Sequence, residues 1–104
     1  MVGQSGWPMF KQMAHVKFLG EFRDVAGTDE LDVAIDPPYS LGQLIEKLAE
    51  TLPPLRSLLY KPREEAIAPF SMLLNGREVY SQGDLTIPVP HDSEVVFFFW
   101  GVGG

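Results

Sequence analysis

The chain has 104 residues, of which 45% are apolar, 21% charged and 12% aromatic, and this composition fits one domain and excludes a wholly disordered chain. The absence of cysteine excludes a disulfide framework, a thiolate zinc site and a cysteine nucleophile, and a net charge of −6 disfavours binding to nucleic acid. No apolar run approaches the roughly 20 residues that span a bilayer, and no signal-peptide pattern opens the sequence, so a cytoplasmic protein is predicted.

The sequence is predicted to begin with a flexible extension, residues 1–14, in which two glycines and a proline interrupt any periodic pattern. The folded domain is then expected to span residues 15–104. In residues 15–19, Val16 and Phe18 would share one face and Lys17 and Leu19 the other, which predicts the first strand.

Two segments follow before the main helix. Residues 21–26 predict either a short helical turn or an irregular connection that ends at Gly27. Residues 30–35 alternate strictly, with three apolar side chains on one face and acidic or small ones on the other, which predicts a second strand. The short separation between the two strands indicates a hairpin.

The clearest helix signal begins at Ser40, because Ser40 and Gln43 have the spacing of a capping box. Apolar residues then recur at helical spacing and form a single stripe: Leu41, Leu44, Ile45, Leu48 and Leu52. Two prolines end the helix, and residues 53–69 are predicted to be a long connection with a helical turn near residues 55–60.

The remaining sequence predicts a hairpin and a final apolar strand. Residues 70–74 and 77–80 flank Asn75-Gly76, a pair that favours a tight turn between strands. Residues 94–100 are apolar on both faces, which predicts a central strand, since an exposed edge of this kind would promote aggregation. The element order predicts an α+β fold, in which a mixed sheet of four to five strands packs on one main helix.

One helix can cover only one face of such a sheet, so alternation also predicts an open apolar face. The side chains assigned to the open face are Leu19, Leu73, Val96, Phe98 and Trp100. They belong to the first, third and fifth strands, which are neighbours if the last strand is central. A contiguous patch of this kind usually binds a protein partner. The alternative is that the 53–69 loop or the N-terminal extension folds over it.

The interior of the sequence contains no recognisable catalytic motif. A nucleophile elbow, a P-loop and a His-Glu-x-x-His helix are all absent. His15 and His91 are far apart in sequence and are predicted to be surface histidines rather than metal ligands. No bound cofactor or metal is therefore expected.

The unusual chemical feature is the end of the sequence, Gly101-Val102-Gly103-Gly104. Without Cβ atoms, the final glycines can thread a narrow channel. Gly104 is therefore predicted to present a reactive carboxylate to the active site of a partner enzyme, with Gly103 as a spacer. The alternative is a frayed and inert tail.

The order of elements resembles the β-grasp, or ubiquitin-like, fold, and the sequence looks most like the MoaD/ThiS-type sulfur carriers. The segments that carry the resemblance are Val16-Lys17-Phe18, Phe22 to Gly27, Leu74-Asn75-Gly76, and His91 to Val95 ahead of the two final glycines. The Arg-x-x-Ala-Gly segment and the long loop after the helix are most similar to the small subunit of molybdopterin synthase. Where that family often has a tail proline and an Asp-Gly-Asp-Glu turn, this sequence has Trp100-Gly101-Val102 and Asp92-Ser93-Glu94.

The resemblance implies a chain that is not catalytic alone. A ubiquitin-activating-type adenylating enzyme would use ATP to adenylate Gly104, and a persulfide donor would convert the adenylate to a thiocarboxylate. In the molybdopterin version, the tail enters the large subunit of molybdopterin synthase and delivers sulfur to the pterin precursor, with Leu19 and Phe98 in the partner face. Three alternatives remain: a modifier joined through Gly104 to lysines, a sulfur donor for another pathway, and a plain interaction domain.

Overall fold

The computed structural model describes residues 12–36, 38–63 and 66–99. In these residues the chain forms a five-stranded mixed sheet, in the order β2-β1-β5-β3-β4, with helices on one face. The strands are β1 (Gln12–Phe18), β2 (Glu30–Ile35), β3 (Ser71–Leu74), β4 (Arg77–Tyr80) and β5 (Ser93–Phe98). The helices are α1 (Glu21–Ala26), α2 (Leu41–Thr51) and α3 (Arg56–Leu59), with a 3₁₀ turn at Pro53–Leu55. The predicted α+β architecture is confirmed.

The first two strands form the predicted antiparallel hairpin, but β1 begins at Gln12, three residues before the predicted strand. The additional residues are paired, because Gln12 lies opposite Ile35 and Met13 opposite Ala34. Ala14 is fully buried and continues the inward alternation. Its small side chain contributes little to a hydropathy pattern, so the sequence alone placed the start of the strand too late.

The segment between β1 and β2 is a helix rather than an irregular connection. Helix α1 ends at Gly27, which has a φ of 78° and donates its backbone N–H to the Arg23 carbonyl. The left-handed conformation explains why a glycine is found there. Phe22 of α1 is buried, and its ring lies 5.5 Å from that of Phe70 and 5.8 Å from that of Phe97. This short helix therefore contributes an aromatic anchor to the core.

Helix α2 begins with the predicted capping box: Ser40 Oγ accepts from the Gln43 N–H, and Gln43 Oε1 accepts from the Ser40 N–H. Its buried residues pack against the inward faces of the strands, and they are Leu41, Leu44, Ile45, Leu48 and Ala49. The connection after α2 joins the same core through Leu55 and Leu59, which are fully buried. This part of the connection therefore packs on the helix side of the sheet.

The last strand occupies the centre of the sheet, as its apolar faces predict. β5 runs parallel to β1 and antiparallel to β3. It ends at Phe98, before the predicted end at Trp100, which lies outside the described residues. The hairpin that joins β3 to β4 turns at Asn75 and Gly76, with φ values of 51° and 85°. Two consecutive positive φ values are typical of a type I′ turn.

Candidate functional site

The face of the sheet opposite the helices is built from all five strands, and strand register determines which side chains share it. Val96 pairs with Lys17 on one side and with Leu73 on the other, and Leu73 in turn pairs with Glu78. Paired residues in neighbouring strands project from the same face. The outer face therefore has a central row with apolar side chains in the middle and a charged side chain at either end.

A second row lies at the end of the sheet where β5 terminates. Ser71 pairs with Phe98 and with Tyr80. Leu19 follows β1 directly and donates its backbone N–H to the Phe97 carbonyl, which places it beside the end of β5. Leu19 is 51% exposed and Tyr80 is 50% exposed, and they are the large apolar side chains that the described residues leave most open to solvent.

We define the outer patch by the apolar side chains of these two rows, which are Leu19, Leu73, Tyr80, Val96 and Phe98. The structure thus brings together the four described side chains that alternation assigned to the open face. Leu73, Val96 and Phe98 are half-buried. Trp100, Gly103 and Gly104, the other predicted site residues, lie outside the described part of the chain.

Tyr80 was missed by the sequence analysis, although the sequence contains a signal for it. A two-residue turn at Asn75-Gly76 pairs Leu74 with Arg77, and counting outward from that pair places Tyr80 opposite Ser71. Tyr80 therefore shares the face of Leu73 and Phe98. The alternation of β4 itself is too short and too polar to indicate this.

The floor of the outer patch contains a buried hydroxyl. Ser71 is 1% exposed, and its Oγ has no hydrogen-bond partner among the described residues. Ser71 lies in the row between Phe98 and Tyr80, whose larger side chains flank it. A buried hydroxyl without a hydrogen-bond partner lowers the stability of the folded chain, so the patch at Ser71 is not optimised for the stability of the isolated chain.

The other end of the outer face is charged. Lys17 Nζ lies 3.0 Å from Glu94 Oε2, and this hydrogen bond raises the pKa of Lys17. His15 links its own strand, β1, to β2 and to the turn before β5. Its Nδ1 lies 2.8 Å from Asp32 Oδ1, and its Nε2 lies 2.7 Å from Asp92 Oδ1. These hydrogen bonds, that to Asp32 first, raise the pKa of His15. The face thus changes from apolar near the end of β5 to charged near its start.

His15 and His91 are exposed or half-buried, as predicted for surface histidines, but each has a defined partner. His91 Nδ1 accepts the backbone N–H of Met13 at 3.1 Å. The two aspartates of His15 contact opposite ring nitrogens and so do not converge on one point. Within residues 12–36, 38–63 and 66–99, no three imidazole or carboxylate groups are arranged to hold a metal ion.

The outer patch borders the segment that leads to the final glycines. Phe99 is the last described residue, and Gly104 follows it by five positions. At a maximum of about 3.6 Å per residue, five residues span at most about 18 Å. A partner that covers the patch therefore has Gly104 within that distance of Phe99. Among the helices of the described residues, none is long and apolar enough to cross a membrane.

No protein-family model and no curated protein matches the sequence. Solved structures of similar shape were found for most of its length. SAMP1 from Haloferax volcanii superposes with a TM-score of 0.74 at 22% identity, covering 88% of this chain and 99% of that one. The small archaeal modifier protein 1 of Methanosarcina acetivorans gives a TM-score of 0.67 at 17% identity, covering 89% of this chain and 98% of that one.

A third similar structure comes from Pyrococcus furiosus and is provisionally described as molybdopterin converting factor, subunit 1. Its TM-score is 0.67 at 21% identity, with 84% of this chain and 95% of that one covered. At such identities the likeness concerns the fold, and it agrees with the resemblance read from the sequence. The mixed sheet, its central last strand and these structural neighbours together show that the chain has the β-grasp, or ubiquitin-like, fold.

Proposed function

We propose that this chain is a ubiquitin-like sulfur carrier. Its Gly104 carboxylate is adenylated by an ATP-dependent activating enzyme and converted to a thiocarboxylate, which then donates sulfur to an acceptor in a second enzyme. The acceptor pathway we propose is molybdopterin biosynthesis, with the chain as the small subunit of molybdopterin synthase. In this role the chain provides a docking surface and a reactive end, and the partner enzymes provide the catalytic groups.

The observation that carries the proposal is the position of the outer patch beside the end of β5. Leu19 and Tyr80 are each about half exposed there, and burying the exposed half of each side chain in an interface is favourable by about 1 kcal/mol before the costs of association. β5 is held between β1 and β3, so the point from which the tail departs has a fixed position relative to the patch. A partner that recognises the patch therefore also positions the tail.

The reactions proposed for Gly104 need few groups from this chain itself, because the partner enzymes supply the catalytic groups. In the partner, a Gly104 carboxylate oxygen would attack the α-phosphorus of ATP and release pyrophosphate. A persulfide sulfur would then attack the acyl-adenylate carbonyl and release AMP. A thiol of the partner would attack the donor's sulfur in the resulting acyl disulfide, forming a disulfide with the donor and releasing the thiocarboxylate. Glycines at 103 and 104 suit these steps because a chain without side chains can enter a narrow site.

A second candidate function is supported by the names of two structural neighbours. Both the Haloferax and the Methanosarcina proteins are described as small archaeal modifiers, and their folds match this chain over nearly their whole lengths. In that role the activated Gly104 carbonyl would be transferred to lysine amines of other proteins. The two functions share the activation step and differ in the final acceptor.

The experiment that tests the proposal is intact-mass spectrometry of the full chain after incubation with an activating enzyme, ATP and a persulfide donor. The expected product has one carboxylate oxygen replaced by sulfur. A chain that lacks Gly104 should gain no sulfur, whereas Lys47→Gln, an exposed change on α2, should be modified as the parent chain is. Sulfur gain in the truncated chain would contradict the proposal. Lysine conjugates without any thiocarboxylate would favour the modifier role.

A further inference from the structure

A cleft of about 350 Å³ lies outside the outer patch, formed by α3 and the residues that follow it. Its lining residues are Arg56, Ser57, Tyr60, Lys61, Pro62 and Arg63. Three of the eight basic residues of an otherwise acidic chain therefore line one small cavity. We call this cavity the basic cleft. Its volume falls near the lower end of the range for small-molecule sites, about 300–1,000 Å³.

The cations of the basic cleft form no ion pair among the described residues. The ion pairs formed there involve His15, Lys17 and Arg23, and none involves Arg56, Lys61 or Arg63. A cleft lined by one sign of charge concentrates ligands of the opposite sign.

One donor of the cleft, the guanidinium of Arg56, has a defined position. The Arg56 guanidinium lies 5.0 Å from the centre of the Tyr60 ring, which restricts its orientation by a cation–π contact. Burial, and then the charge of Glu46, raises the pKa of Tyr60, so its hydroxyl stays protonated and can donate a hydrogen bond. A guanidinium, an ammonium and the Tyr60 hydroxyl suit the oxygens of a phosphate group.

The backbone at the base of the cleft is held by hydrogen bonds. Lys61 donates its backbone N–H to the Ala66 carbonyl at 2.7 Å, and Ala68 donates to the Leu59 carbonyl at 2.9 Å. Leu59 is fully buried, so this wall is attached to the core. The cleft is therefore a fixed feature of the fold.

Carboxylates on the far side of Arg56 limit how strongly an anion can bind. Glu46 and Glu50 of α2 line a second cavity that shares Arg56 and Tyr60 with the basic cleft. Their negative charge opposes an incoming anion, and their removal should strengthen binding. We propose that the basic cleft binds a small phosphate monoester, with Arg56, Lys61 and Arg63 as the contacts of its phosphate group.

The test is an NMR titration of the isotope-labelled full chain at constant ionic strength. The probes are AMP, ribose 5-phosphate, inorganic phosphate and, as a control without phosphate, adenosine. The two monoesters are expected to produce saturable shifts at the amides of Ser57 and Lys61, with a dissociation constant of about 1 mM. Inorganic phosphate should shift the same amides more weakly, because it leaves much of the cleft unfilled.

Matched variants locate the binding. Arg56→Gln and Lys61→Gln should each weaken binding of the monoester at least tenfold, whereas Lys47→Gln, with the same loss of charge outside the cleft, should not. Glu50→Gln should tighten binding. Non-saturating shifts, equal weakening by Lys47→Gln, or equal shifts with adenosine would overturn the proposal. Because none of these measurements involves Gly104, the outcome is independent of the proposed sulfur transfer.

Discussion

His15 illustrates how one side chain can link separate parts of the fold. A neutral imidazole carries one N–H, yet both of its ring nitrogens lie within hydrogen-bond distance of a carboxylate oxygen. Only the protonated ring can donate to Asp32 and Asp92 at once. The contact therefore joins β1 to β2 and to the turn before β5 as long as the ring is charged.

This arrangement predicts a pH dependence of stability. Because the folded-state pKa of His15 is raised above its usual value of 6.5, its stabilising contribution is complete below that value and is lost as pH rises through the folded pKa. Denaturant unfolding from pH 5 upward should show this loss. The His15→Gln variant should lack it, and an unchanged pH profile in that variant would contradict the assignment.

Two buried serines make a matched pair at the same scale. Ser81 Oγ accepts the Phe70 N–H at 2.8 Å and donates to the Ala68 carbonyl at 2.6 Å, whereas Ser71 Oγ has no partner in the described residues. Ser81→Ala should lower the free energy of unfolding by about 1–3 kcal/mol, and Ser71→Ala should leave it unchanged or raise it. Denaturant midpoints measure both. Equal losses in the two variants would contradict this interpretation.

At the scale of elements, replacing Gly76 in the β3–β4 turn and replacing Gly42 in helix α2 with alanine should change stability in opposite directions. Gly76 has a φ of 85°, and a Cβ there would meet no atom within 4 Å, so Gly76→Ala should cost about 1 kcal/mol through backbone strain alone. Gly42 lies in α2, where a Cβ would make an ordinary 3.5 Å contact with the Leu85 carbonyl oxygen. Gly42→Ala should therefore stabilise the chain by up to about 1 kcal/mol. Thermal unfolding of the two variants tests the contrast.

Elements with strong local signals could be predicted from the sequence, and elements fixed by pairing could not. The capping box located α2 to the residue, and the apolar faces of β5 indicated its central position. The start of β1 depends on its pairing with β2, and the outward position of Tyr80 depends on hairpin register. Arg56 and Lys61 come together only because the connection after α2 folds back on the core, which no local pattern indicates.

For the whole molecule, the distribution of charge suggests what kind of partner suits the outer patch. Glu30 of β2 extends the central row beyond Lys17, Glu78 lies at its other end, and the chain carries a net charge of −6. A partner surface with basic groups around an apolar centre would be complementary. Association should therefore slow as salt is added, because the Debye length falls from about 10 Å at 0.1 M to about 3 Å at 1 M.

Two variants can distinguish the contribution of the outer patch to partner binding from a general effect of added negative charge. Leu19→Asp places a charge on a half-exposed apolar residue, and it should weaken binding to the activating enzyme at least tenfold without unfolding the chain. Ala34→Asp adds the same charge on exposed β2, away from the patch, and should have a much smaller effect. Surface plasmon resonance can compare the two. Equal losses would mean that charge, and not the patch, determines binding.

The central position of β5 also affects how the molecule assembles. Without residues 93–98, the sheet falls into two separate ribbons, β1 with β2 and β3 with β4, because no direct pairing joins β1 to β3. Two-stranded ribbons are marginal in water on their own. During synthesis, the body of the protein can close only after this late segment has left the ribosome. A chain interrupted before β5 would thus lack the strand that joins the two ribbons and would be open to proteases.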